Sequence, residues 1–323
     1  MTGCWVKPEI RDAVVALMAY GTERVGLPLK RLLGWLELSP GKYHAWRQRQ
    51  GQPNRHNAQV PSSHWLLAWE REAIIAFAQQ HPLEGYRRLC YLMIDAAVVA
   101  CAPSTVYRVL KGAGLLNTWE VKSSSKGQGF DQPTAAHQHW HIDIAYLNIA
   151  GTFYYLCSVL DGYSRFIVHW ALEEAMSTAA VEIVLQAARE RVPGATPRVI
   201  SDNGPQFIAR DFKEFIRLCG MTHVKTSPYY PQSNGKLERW HNSLKAEGIR
   251  PNSPVSLDDA RRIVSRYVDH YNTVRLHSAI GYVTPQAKLD GREEAIFAQR
   301  RHRLAQARAA RCHAYQRQAA VAA

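Results

Sequence analysis

The chain has 323 residues, 46% of them apolar, and a formal charge of +13. That length and apolar content can fill two or three domain cores, which excludes a disordered chain. Six scattered cysteines (Cys4, Cys90, Cys101, Cys157, Cys219, Cys312), without a CxxC pair or a histidine at zinc-finger spacing, exclude a disulfide scaffold and suit small buried side chains in a reducing cytoplasm.

Residues 1–117 carry 14 Lys and Arg against 8 Asp and Glu, residues 251–323 carry 12 against 6, and residues 135–250 carry 12 against 11. Basic surface gains affinity for DNA by releasing counterions from phosphates, so the flanks are the expected gripping parts and the near-neutral middle the chemical one. A soluble protein with basic tails is the other reading of this charge. No run approaches the ~20 apolar residues of a membrane span. Charges through the first apolar stretch speak against a signal peptide, so the expected location is the cytoplasm, with the DNA.

Residues 1–60 read as a small helical unit. Ala13, Val14, Leu17 and Met18 fall at helical spacing, as do Leu29, Leu32, Leu33 and Leu36, and Ser39-Pro40 offers a cap followed by proline at the first helical position. The helix that follows bears Lys42, Tyr43, Trp46, Arg47 and Arg49, which suits the last helix of a helix-turn-helix, with Lys42 and Arg47 toward DNA. An ordinary three-helix packing unit fits the same pattern. Residues 61–117 repeat the device, with Pro103 opening a helix that carries Ser104, Thr105, Tyr107 and Arg108 as candidate DNA contacts. Arg87 and Arg88 are read as phosphate clamps in preference to solvated charges.

Residues 118–134, containing KSSSKGQGFDQPT, read as a linker. Residues 135–250 then give strands at 139–149, 153–160 and 165–172, a helix at 176–191, a strand at 197–201, a helix at 208–219, a strand at 222–226 and a last helix containing Glu238. That order fits an α/β fold with an RNase H-like core, a mixed five-stranded sheet with flanking helices. Residues 251–323 read as a helical, basic segment, opened by a capping box at Ser256 to Asp259. Its tail from Arg292 carries seven Arg against two Glu, so a basic helix is expected there, on DNA or solvated.

Three acidic residues stand out within this frame: Asp143 in HWHIDIAYL, Asp202 in VISDNGPQF and Glu238 in NGKLERWHNSLK. The first two sit on or just past strands and the third on a helix. Three carboxylates drawn to one point repel each other unless a divalent cation compensates, so the expected cofactor is Mg²⁺ or Mn²⁺, two ions clamping an in-line phosphodiester displacement. His141 shares the strand face of Asp143 and either lines the site or is a hydrogen-bonded structural histidine. Asn203 follows Asp202 into a turn, where it could orient metal ligands. Positions three, four and seven beyond Glu238 select His241, Asn242 and Lys245, with Lys245 the best candidate to grip the phosphate beside the cut. Lys236 and Arg239 point elsewhere, toward flanking DNA or water. Tyr229 and Tyr230, in a loop with two prolines, either stack on frayed bases or pack beneath the loop. No GxxxxGK[ST] loop is present, in keeping with a transesterification that needs no ATP.

The stretches DGYSRFIVHWAL (Asp161 to Leu172), SDNGPQF (Ser201 to Phe207), NGKLERWHNSLK (Asn234 to Lys245) and YNTVRLHSAIGYVTP (Tyr271 to Pro285) resemble, in order, the catalytic core of integrases and DDE transposases, most closely the bacterial insertion sequence three family. HPLEGYRRLCYLM resembles a helix-turn-helix preceding the core in that family. The resemblance implies a transposase that cuts at terminal inverted repeats of its element and joins the 3′-hydroxyl ends to target DNA, with Asp143, Asp202 and Glu238 as catalytic metal ligands. It further implies double-stranded DNA as partner, a homo-oligomer on DNA, and in many relatives a separately encoded or frameshift-fused N-terminal partner. Where the family often has Thr two residues after the first Asp, this chain has Ala145. The rival reading is a non-catalytic DNA-binding regulator derived from a transposase; a plain nuclease would not need two DNA-reading units.

Overall fold

The computed structural model describes residues 6–52, 65–116, 132–225 and 235–321, and the chain falls into two units, Met1–Trp65 and Leu66–Ala323. In the first unit, helices α1 (Pro8–Glu23), α2 (Leu29–Trp35) and α3 (Pro40–Gln48) close on Val15, Met18, Leu32, Leu33, Leu38, Tyr43 and Trp46. The Ser39 hydroxyl accepts a hydrogen bond from Lys42 N and Pro40 follows at the first helical position, as the sequence indicates. On α1 the buried stripe is offset from the expected one. Arg11 turns inward to donate to Gln52 O at 2.7 Å, which brings Val15 and Met18 into the core and leaves Leu17 exposed.

In the second unit, α4 (Ala68–Gln80), α5 (Tyr86–Asp95) and α6 (Pro103–Gly112) pack around Ile74, Leu89, Met93, Ile94, Val106 and Leu110. The sheet follows: β1 (His139–Ile149), β2 (Thr152–Asp161), β3 (Ile167–Glu173), α7 (Thr178–Arg191), β4 (Arg198–Ser201), α8 (Pro205–Ile208), α9 (Arg210–Leu218) and β5 (Thr222–Lys225). Strand order is β3-β2-β1-β4-β5, antiparallel within the first three and parallel for β1–β4 and β4–β5. This is the mixed five-stranded RNase H-like arrangement expected from the sequence. Helix α10 (Gly235–Ser243) runs into a π-helical turn at Leu244–Ile249 and a last turn α11 (Arg250–Asn252); α12 (Leu257–Thr273), α13 (Pro285–Leu289) and α14 (Glu293–Val321) complete the unit.

Strand alternation sorts the sheet onto two cores. Trp140, Ile142, Cys157, Val159 and Val199 pack with Val181, Leu185, Phe212 and Ile216 of α7 and α9. Leu147, Ile149, Leu156 and Leu160 pack with Leu237, Trp240 and Leu244 on one helix and Ile263, Val264 and Tyr271 on the other. The result is three layers, with α7 to α9 on one face and α10 and α12 on the other. At the open edge of β3, Asn272 of α12 donates to Ile167 O (3.1 Å) and accepts from Ile167 N (2.9 Å), pairing the strand's backbone as a neighbouring strand would.

The basic tail forms the expected helix with Arg301, Arg308 and Arg317 exposed, but part of its charge is turned inward. Helix α14 lies along α4 to α6, and three of its arginines are engaged within the protein. Arg300 pairs with Asp95, Arg303 donates to Ile94 O and Asp95 O, and Arg311 is buried against Glu70. Carboxylates and helix-end carbonyls more than 200 residues earlier in the chain take up that charge. Among the described residues no helix is long and apolar enough to cross a membrane.

Candidate active site

Asp143 lies on the central strand β1, opposite Ser158 of β2. Parallel pairing sets His141 level with Ile200 of β4, and two residues further along both strands stand Asp143 and Asp202. The two carboxylates thus leave neighbouring strands at one end of the sheet, where strand termini open sites. Asp202 sits just beyond β4, where the backbone turns. Its Oδ1 accepts from Gly204 N at 2.9 Å, and a Cβ on Gly204 would stand 3.0 Å from that oxygen.

Helix α10 brings the third carboxylate. Trp240, fully buried, donates from Nε1 to Ser158 Oγ at 3.2 Å, so the helix is pinned to the residue that faces Asp143 across the hairpin. Glu238 is exposed beside it, and His241, three residues on, places Nδ1 3.8 Å from Asp143 Oδ2. Burial, and secondarily the charge of Lys245, push His241 down to about 3. The ring is therefore neutral at ordinary pH, and its contact with Asp143 is dipolar, not an ion pair.

The electrostatics of Asp143 define the site. Burial first, then the charge of Asp202 and more weakly that of Glu238, push its carboxyl up to about 7, against the pull of the hydrogen bond from Ile144 N. Asp143 therefore feels both other acids, while among the described residues no three His, Cys, Asp or Glu side chains stand close enough to share one ion. A desolvated carboxylate on β1, a second just past β4 and an exposed third on α10 are a donor set of the kind that suits hard divalent cations.

The other expected residues divide. His141 is buried on the Asp143 face, and its Nε2 would stand 3.1 Å from a Cβ on Gly162, so that turn closes over the ring. Asn203 is exposed at the turn. Lys245 falls in the π-helical turn, half-buried, with its charge bearing on His241; Asn242 and Arg239 are exposed. Lys236 reaches across to donate to Gly162 O at 3.0 Å, and burial together with Arg165 pushes it down to about 7. Tyr229 and Tyr230 lie outside the described residues. On α6, Ser104, Tyr107 and Arg108 are exposed and Thr105 is half-buried, with Tyr107 edge-on to Tyr86. Arg87 is exposed over the Tyr86 ring, whereas Arg88 pairs with Glu84 and donates to Leu276 O at 3.1 Å. In the first unit, Lys42 lies over Trp46 and Arg47 is exposed.

Sequence reasoning passed over several residues that shape the site. Asp161, which entered only as the first residue of the DGYSRFIVHWAL stretch, is fully buried and accepts from His137 N (2.8 Å), Ser164 N (2.8 Å) and Ser164 Oγ (2.6 Å), which fixes the β2–β3 turn. Ser201 donates to Asp202 O and lies 2.9 Å from His223 Nε2 on β5. The DGYS run carried the first signal, and Ser201 beside Asp202 the second.

Integrase core domain models match residues 133–231 and 219–285. The uncharacterized 39.2 kDa protein of insertion element IS476 from Xanthomonas euvesicatoria is 27% identical over 218 residues, 66% of this chain and 62% of that protein. The transposase for insertion sequence element IS629 from Shigella sonnei is 22% identical over 262 residues, 77% of this chain and 87% of that one. Among solved structures, a simian T-cell lymphotropic virus intasome in complex with PP2A regulatory subunit B56 gamma matches at 16% identity, covering 67% of this chain and 74% of that one with a TM-score of 0.45.

Proposed function

We propose that this chain, which belongs to the insertion sequence transposases with an integrase core, cuts DNA at the terminal inverted repeats of its element and transfers the 3′-hydroxyl ends into target DNA. The observation that carries the reading is the placement of Asp143 on β1 and Asp202 just past the parallel β4, each two residues beyond the His141–Ile200 pair, with the Glu238 helix pinned to Ser158 opposite Asp143. Two divalent cations, Mg²⁺ or Mn²⁺, would supply Lewis acidity at the attacking and leaving oxygens when bound. Asp143, Asp202 and Glu238 would hold them. Gly204 N fixes the rotamer of Asp202, and Trp240 on Ser158 sets the height of Glu238 along the sheet. His241, neutral and buried, fills the space behind Asp143 without competing as a charge. Lys245, on the Glu238 side of the helix, would grip the phosphate next to the cut, and Tyr229 and Tyr230 would stack on unpaired bases.

Binding would be shared with the helical units. The exposed Ser104, Tyr107 and Arg108, with Thr105, suit a recognition helix in a major groove, and Arg87 suits a phosphate contact; Lys42 and Arg47 would do the same in the first unit. Arg88 keeps to its internal partners Glu84 and Leu276 O. Joining two DNA ends calls for more than one copy of the chain on DNA.

The test is strand cleavage and joining on labelled DNA carrying the element's own ends, with Mg²⁺ or Mn²⁺, for wild type and Asp202→Asn. Joined products from the wild type, and binding without products from the variant, support the metal-clamp reading. Equal binding with no cutting by either, under any divalent ion, replaces it with the regulator reading or with the need for a separately encoded N-terminal partner.

A further inference from the structure

Five cations gather where the β2–β3 turn, α10 and the segment after α12 meet: Arg88, Arg165, Lys236, Arg239 and Arg275. Two are neutralised. Arg88 pairs with Glu84, and Arg275 holds Glu247 by two bonds of 2.6 and 2.7 Å. The other three are not. Among the described residues Arg165 and Arg239 meet no carboxylate within ion-pair distance, and Lys236 reaches only the carbonyl of Gly162. Asp161 lies nearby, but its oxygens are already occupied by His137 N and by Ser164.

Arg165 stands there at a cost to the fold. Its φ is 69°, in the left-handed region that a glycine occupies freely and a bulky residue does not. Its Nε is buried without an acceptor, and the guanidinium is largely desolvated beside the like charge of Arg239. Glycine at this position would remove all three penalties. Three basic side chains against the single buried carboxylate of Asp161 leave an excess of positive charge that complements a polyanion, and guanidinium forks match phosphate oxygens in particular.

We infer that Arg165, Lys236 and Arg239 form a binding site for a DNA backbone phosphate outside the carboxylate cluster. Helical geometry places Lys236 and Arg239 on the flank of α10 opposite Glu238, His241 and Lys245, with the buried Leu237, Trp240 and Leu244 between them. One helix would then hold the reacting strand on one flank and a second stretch of backbone on the other. This rests on the strand-transfer reading above and adds Arg165, which neither composition nor motif spacing singled out.

The experiment uses the full chain as wild type, Arg165→Gly, Arg165→Lys, Arg239→Gln and Asp202→Asn. A short fluorescein-labelled duplex of random sequence is titrated over a range of NaCl concentrations, beside thermal melting and the joining assay. Arg165→Gly should melt at or above the wild-type temperature. Its slope of log K against log [NaCl] should shrink by ~0.9, equivalent to about eightfold weaker binding at ~0.1 M salt. Arg239→Gln, which alters an exposed side chain, should shrink the slope by the same amount, and Arg165→Lys should restore most of it. An Arg165→Gly chain that melts well below wild type, or that keeps the wild-type slope, overturns the proposal. If the wild type joins DNA, Asp202→Asn does not, and both arginine variants bind as wild type, only this inference fails. If no chain joins DNA but the slopes shift as expected, only the strand-transfer reading fails.

Discussion

Replacing Arg311 with methionine tests how α14 is held. Arg311 and Glu70 side chains are each 4% exposed. Arg311 Nε lies 3.1 and 2.9 Å from the two carboxylate oxygens, and Nη2 lies 2.7 Å from Oε1 and 2.7 Å from Ala100 O. Methionine fills much of the same apolar space but leaves Glu70 with Leu67 N, at 2.8 Å, as its remaining donor, and removes the donor that Arg311 gave Ala100 O. Breaking a buried pair from one side costs about 3–5 kcal/mol. For a unit of this size that corresponds to a drop of roughly 6–20 °C in melting temperature, at ~2–4 °C per kcal/mol. Glu70→Leu with Arg311→Met removes both charges and should recover all but about 1 kcal/mol, the loss of the Glu70 cap on Leu67 N. Urea unfolding, with amide exchange read on α4 to α6, measures both variants. A single variant within about 0.5 kcal/mol of wild type, or a double variant no better than the single, would refute the argument.

His277 is buried among Arg165, Arg275, Arg239 and Arg88, and burial followed by those charges pushes it down to about 3 from an ordinary value of 6.5. Below pH 6.5 the unfolded chain therefore binds a proton that the folded chain refuses, so the stabilisation is complete above 6.5 and lost as pH falls toward 3. His277→Asn, which can still accept from Ala279 N, should flatten the acid limb of a stability-against-pH curve by up to about 1.4 kcal/mol per pH unit. An unchanged limb counts against it. Asn272→Ala strips both partners from Ile167 and should cost about 2–5 kcal/mol, with faster exchange at the Ile167 amide; wild-type exchange there would show that α12 does not guard the edge. Gly281→Ala puts a Cβ 2.6 Å from Phe297 Cζ at φ +80°, and should lower thermal stability by at least about 1–3 kcal/mol. A melting temperature equal to wild type would disprove that clash.

The sheet was legible because its strands are apolar and aromatic, and because side chains alternate. Trp140 and Ile142 face one core while Asp143 faces α10. Asp202 was legible for a different reason: a carboxylate and Asn-Gly directly after an apolar strand pack poorly and serve a site well. Charge was the weakest guide. Arg300, Arg303 and Arg311 look like a DNA-binding tail in composition, yet their partners Asp95, Ile94 and Glu70 lie in an earlier helical unit, and no local pattern announces such pairings. The π-helical turn at Leu244–Ile249 was equally hidden, since it depends on tertiary packing against Tyr267, whose ring a Cβ on Gly248 would approach to 3.1 Å.

That turn bears on how the site is assembled. At 3.6 residues per turn Glu247, nine residues on, stands across the helix from Glu238. In the π turn it meets Tyr267 Oη at 2.8 Å and the Arg275 fork. Helix α10 is thereby tied at its far end to α12 and at its middle to Ser158, the residue opposite Asp143. Two fixed points on a short helix remove both sliding and rotation. The height of Glu238 beside Asp143 is then set by polar contacts on both sides of it in the fold.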